Sequence, residues 1–199
     1  MKSFVILAAL VTFAACSGGQ QAGQQEAKEH KKDSVTVQVD PAAKASITSL
    51  LNAYYQLKDA LVEYDTASVN TASMALHRAA DSMRTDGISQ QELAATAKKF
   101  AEKISSESVV LVSRNDLVEK KRSFSVISES LYPLLLAVQY NESTVYHQMC
   151  PMAFNDNETA FWLSNQREIE NPYLGKKHPK YASGMLHCGE VKDSLAFGK

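Results

Sequence analysis

The sequence predicts an all-α fold: an antiparallel four-helix bundle followed by an irregular tail that carries cysteine and methionine, with room for a short β-hairpin. Three observations predict it. Apolar residues step by three and four from Ala43 to Tyr140 in four separate stripes. Short polar breaks join the stripes, as in an up-down bundle. After Tyr140 the helical period stops. Two clusters, Tyr146-His147-Gln148-Met149-Cys150-Pro151-Met152 and Met185-Leu186-His187-Cys188-Gly189, then each set a cysteine beside methionine and histidine.

The chain begins with Lys2 and an apolar run, Phe4 to Ala15, that is too short to span a membrane and reads as a secretory signal over residues 1–15. Phe13-Ala14-Ala15-Cys16 resembles the bacterial lipoprotein processing site, with Phe13 where a small aliphatic residue is usual. That resemblance implies cleavage before Cys16, a lipid on Cys16 and a membrane anchor on the cell envelope. An ordinary signal peptide with an incidental cysteine is the alternative. Residues 16–42 read as the anchor and a flexible tether, because Ser17 to Gln25 is almost free of apolar residues and Glu26 to Asp33 is mostly charged. Val35, Val37 and Val39 alternate with polar residues, a weak strand signal that Pro41 ends.

The bundle is assigned to residues 43–141. Ile47, Leu50, Tyr54, Leu57 and Leu61 form the first stripe. Val69, Ala72, Leu76, Ala79 and Met83 form the second, capped by Asp65 or Thr66 and stopped by Gly87 in a left-handed conformation. Leu93, Ala97, Phe100 and Ile104 form the third, opened by a capping box from Ser89 to Glu92 and carried as helix through the β-branched Val109 to Val112. Leu117, Phe124, Ile127, Leu131, Leu134 and Val138 form the fourth, opened at Asp116 and kinked by Pro133. Tyr54, Met74, Met83 and Phe124 are expected in the core, and His77 at its boundary.

Residues 142–199 are the tail. Thr144 to Met149 is extended, Pro151 ends any strand, and Gly184 to Cys188 can form a second short strand paired with it. Asn155-Asp156-Asn157 is a turn cluster, and Phe161-Trp162-Leu163 an apolar plug between tail and bundle. Cys150-Pro151-Met152, Trp162-Leu163-Ser164, Ile169 with Asn171-Pro172-Tyr173, and Met185-Leu186 before Cys188-Gly189 resemble a bacterial family of uncharacterised secreted helical domains. Leu57-Lys58-Asp59-Ala60-Leu61 is similar to that family's first helix. Related tails end the periplasmic adaptor proteins of copper and silver efflux pumps. The segment Lys176 to Gly184 departs from the pattern by its length. The resemblance implies an association with soft-metal handling and a metal-efflux adaptor or another envelope protein as partner; it implies no mechanism.

Thiolate and thioether sulfur are soft donors suited to Cu(I). The candidate metal ligands are Cys150, Met152, Met185 and Cys188, with Met149, His147 and His187 as weaker ones, since neighbours on a strand face opposite ways. Two cysteines in an oxidising compartment also suit a Cys150–Cys188 disulfide, closing a loop that is favoured by about 3–4 kcal/mol in the chain-entropy model. The residues leave open a metal site, a structural disulfide, or exchange between the two. Balanced charge, 21 Lys and Arg against 22 Asp and Glu, argues against a nucleic-acid surface. The absence of Cys-x-x-Cys, a haem-attachment motif, a phosphate loop and any Ser-His-Asp arrangement points away from an enzyme. The expected function is a lipid-anchored envelope protein that binds Cu(I) for efflux or tolerance. The alternative is a disulfide-stapled interaction module without metal.

Overall fold

Four helices form because their apolar stripes have one core to share, and short side-chain caps set where three of them start. In a computed structural model that describes residues 37–196, these are α1 (Pro41–Glu63), α2 (Thr66–Asp81), α3 (Gln91–Ser113) and α4 (Leu117–Ala137). The leader, Cys16 and the tether up to Thr36 lie outside the described residues. Asp40 opens α1 by accepting from the Ala43 amide at 2.7 Å, with Pro41 in the first turn, where its missing N–H leaves no bond unmade. Tyr64 closes α1 in the left-handed region (φ +60°). Asp65 then caps α2 by accepting from Ala67 and Ser68, and Asp116 caps α4 by accepting from Glu119.

Consecutive helices pack on one another, and α1 reaches α4 through side chains: the Tyr54 and Phe124 rings stack 5.1 Å apart. Ile47, Leu57, Leu76, Ile104, Ile127 and Leu131 are all buried. Helix α3 is continuous through Val109 to Val112, as expected. Lys120 closes it, donating to the Leu111 and Val112 carbonyls and to Asn70, a cation placed on a helix C-terminus.

Two local expectations fail. Helix α2 ends at Asp81, so Gly87 does not stop it; a Cβ on Gly87 would fall 2.3 Å from the Asp40 carboxyl carbon, and close approach is what requires glycine there. Ser89 makes no capping box. Its hydroxyl accepts from Gln38 and its amide donates to the Gln38 carbonyl, beside a Val39–Ile88 bridge, so the residues before α1 are tied to the loop before α3.

The all-α expectation is overturned by the tail, which folds as an antiparallel sheet in the order β2-β1-β3: β1 (Val145–Phe154), β2 (Glu158–Ser164) and β3 (Glu190–Leu195). Pro151 does not end β1. The ladder with β2 is regular from Tyr146 to Cys150 and resumes at Phe154, and Pro151 sits in the irregular stretch between, where its missing N–H costs no ladder bond. Asn155 and Asp156, both at positive φ, turn β1 into β2. Gly184 to Cys188 is not a strand; it is a run of turns, and β1 takes its second partner from Glu190–Leu195 instead.

Sheet and helices share one core, with β2 lying against α4. Tyrosine hydroxyls cover the outer edge of β2: Tyr54 accepts from the Leu163 amide at 3.0 Å, and Tyr173 donates to the Phe161 carbonyl. Tyr54 passes the chain on to Ser128, which donates to the Phe124 carbonyl. An edge that would otherwise expose unpaired backbone groups is thereby closed.

Candidate soft-metal centre

The sheet has two faces, and they divide the β1 cluster, with His147 and Met149 on one and Cys150 on the other. His147 pairs with Leu163 and Met149 with Phe161, whereas Gln148 pairs with Trp162 and Cys150 with Ala160. His147 stacks between Tyr132 of α4 (4.0 Å between ring centroids) and Phe161 (5.0 Å), so the face of His147 and Met149 is the one towards the helices. Burial there holds the His147 imidazole below its ordinary pKa, against the pull of Asp193 directly opposite on β3. Cys150 lies on the other face with Gln148 and Trp162, all fully buried.

The segment between β2 and β3 covers that face. The Gln148 side-chain amide donates to three successive carbonyls, those of Gln166, Arg167 and Glu168. Asn171 organises the rest. Its side-chain oxygen accepts from the Tyr173 and Leu174 amides, its amide group donates to the Cys188 carbonyl at 2.7 Å, and its backbone N–H donates to Leu186. Cys188 closes a turn on the Met185 carbonyl, and Gly189 (φ +145°) lets the chain pass directly over the Met149 carbonyl into β3.

This arrangement brings the Cys150 and Cys188 sulfurs to 3.3 Å, both as free thiols. Burial, and then the Cys150 sulfur beside it, push the Cys188 thiol up to about 11. Met152, in the irregular stretch two residues after Cys150, and Met185, which opens the turn ending at Cys188, are both half-buried and pack on the same core. His187 is exposed, and its Nδ1 meets the Ile169 carbonyl at 2.7 Å. Met149 and His147 face away from Cys150. The structure thus unites the two cysteines and separates the two weaker β1 candidates from them.

Among the described residues no three His, Cys, Asp or Glu side chains converge. What the contact itself brings together is two thiol sulfurs, which are soft donors once deprotonated. Asn171, Gln148 and Trp162 were not read as site residues from sequence, although Asn171 and Trp162 stand inside the tail motifs. The Trp162 indole N–H and the Gln148 side-chain oxygen, cross-strand neighbours, are buried without hydrogen-bond partners among the described residues.

Over residues 50–143 the chain is similar to a family described as "Protein of unknown function (DUF3347)". The matched stretch runs from α1 to just before β1 and contains neither sulfur cluster. No curated protein and no solved structure matches the chain.

Proposed function

We propose that this protein is a lipid-anchored envelope protein that holds a soft metal ion, Cu(I) foremost, between Cys150 and Cys188, with Met152 and Met185 as additional sulfur ligands. The observation that carries the reading is the 3.3 Å meeting of two thiols 38 positions apart in sequence. The tail's likeness to the ends of copper and silver efflux adaptors supports a role in efflux or tolerance, with such an adaptor as partner. The lipoprotein-like site at Cys16 supports the anchor, and Cys16→Ser is expected to leave the precursor uncut or release a soluble protein on membrane fractionation.

The direct test is a Cu(I) titration of the reduced protein against a competing chelator. Cys150→Ser and Cys188→Ser are each expected to abolish tight one-to-one binding, and Met152→Leu and Met185→Leu to weaken it less, since a neutral thioether donates less than a thiolate. Because both thiols must lose protons, affinity should rise with pH, by about tenfold per pH unit for each proton released. Unchanged affinity in the double cysteine variant would remove the metal reading. The same short sulfur contact favours a second reading, a Cys150–Cys188 staple on an interaction module. Specific capture of an envelope partner that survives chelation of metal and fails on reduction would favour it.

A further inference from the structure

The two sulfurs are in contact but not equivalent. Cys150 is fully buried in the middle strand, while Cys188 is partly exposed on the turn before Gly189. An external molecule therefore meets Cys188 first and finds Cys150 directly behind it. We infer that Cys150 and Cys188 form a thiol–disulfide exchange couple, with Cys188 as the entry sulfur and Cys150 as the resolving sulfur, and that the disulfide state closes the metal site. The closing of the metal site rests on the metal reading above; the couple does not.

The co-reactant is a small organic disulfide. Cys188 loses its proton and attacks one of its sulfurs; the external S–S bond breaks, one thiol leaves with a proton, and a mixed disulfide forms on Cys188. Cys150, 3.3 Å away, loses its proton and attacks the Cys188 sulfur. The mixed disulfide breaks and the second thiol leaves, also protonated. One external disulfide is reduced to two thiols, and the protein pair is oxidised by two electrons.

The geometry suits the second step. The sulfurs must close by only about 1.2 Å to reach bonding distance. The backbone on both sides is already held, by β1 at Cys150 and by Asn171 and Gly189 at Cys188. Trp162, the single tryptophan of the chain, packs close to Gly189 and gives the couple an optical reporter.

The test is to treat reduced full-length protein with oxidised glutathione, with Cys16→Ser in every version so that Cys150 and Cys188 are the only thiols and wild type means wild type at those two, following released glutathione, adduct mass and Trp162 fluorescence, and then to load each product with Cu(I). Wild type should release two reduced glutathiones per chain and retain none, with any adduct at partial conversion mapping to Cys188. Cys150→Ser should accumulate the adduct, and Cys188→Ser should react at least about tenfold more slowly, because its remaining thiol is buried. The disulfide product should fail to bind Cu(I) and regain binding on reduction. A stable adduct on wild type, or first modification at Cys150, would overturn the couple whether or not the variants fold. Equal Cu(I) binding by disulfide and dithiol forms would overturn the gate. Two-thiol release with no Cu(I) binding in either state supports the couple and rejects the metal reading alone.

Discussion

At Gly189 a Cβ would fall 2.6 Å from the Met149 carbonyl oxygen and 3.0 Å from the Trp162 ring, at a φ that L side chains rarely adopt. Gly189→Ala is expected to cost about 1–3 kcal/mol in urea unfolding and to slow Cys150–Cys188 disulfide formation, since it shifts the turn that carries Cys188. Unchanged stability and oxidation would show that the chain does not pass this close to β1. Lys121 is the other residue with a sharp local consequence. Its Nζ donates to the Tyr173 carbonyl at 2.7 Å and sits 3.6 Å from the centre of the Tyr64 ring, with no carboxylate partner among the described residues. Burial pushes its pKa down to about 7, although the carbonyl and the ring both favour the charged form. The unfolded lysine keeps its ordinary value near 10.4. Between those values the unfolded chain binds more proton than the folded one, so stability rises with pH there, by up to about 1.4 kcal/mol per unit. Below that window both states are protonated and the burial cost is fully present. Lys121→Met should flatten this slope in unfolding measured from pH 6 to 10 and raise stability at the acid end; an unaltered slope would assign the titration elsewhere.

Helix α4 is the element that joins the two halves, with Phe124 and Leu131 on the helical core and Tyr132 stacked on the sheet. It runs through Pro133, whose missing amide leaves the Glu129 carbonyl without its helical donor. Leu131 is fully buried. Leu131→Ala is expected to cost about 2–5 kcal/mol, read by urea or thermal denaturation, and a loss below about 0.5 kcal/mol would match an exposed site instead. The helical stripes were legible because a 3.6-residue period repeats over many residues and each stripe is buried against one core. Strand β1 was legible only up to Cys150. Its pairing beyond that point depends on an irregularity that takes up Pro151, and no local signal announces a bulge.

For the molecule as a whole, the chain Leu163 amide–Tyr54–Ser128–Phe124 carbonyl links β2, α1 and α4. Tyr54→Phe removes the hydroxyl and leaves a buried N–H on the sheet edge unpaired. The expected loss is about 1–3 kcal/mol, with helical circular dichroism and Trp162 fluorescence still changing together because sheet and helices share one core. Separate transitions for the two signals would show that the sheet unfolds on its own.

The sequence alone determined the four helices, most of their buried residues, the cap at Asp116 and the choice of Asp65 or Thr66 as the cap of α2, and it singled out the two sulfur clusters, because each is written in local spacing or residue chemistry. Only the tertiary structure decided that the tail is a three-stranded sheet, that β3 rather than Gly184 to Cys188 pairs with β1, and that His147 and Met149 face away from Cys150. Strand partners and sheet faces are set by which chain segments meet, and the 3.3 Å contact of Cys150 with Cys188 exists only because Asn171 and Gly189 bring a distant turn back over the middle strand.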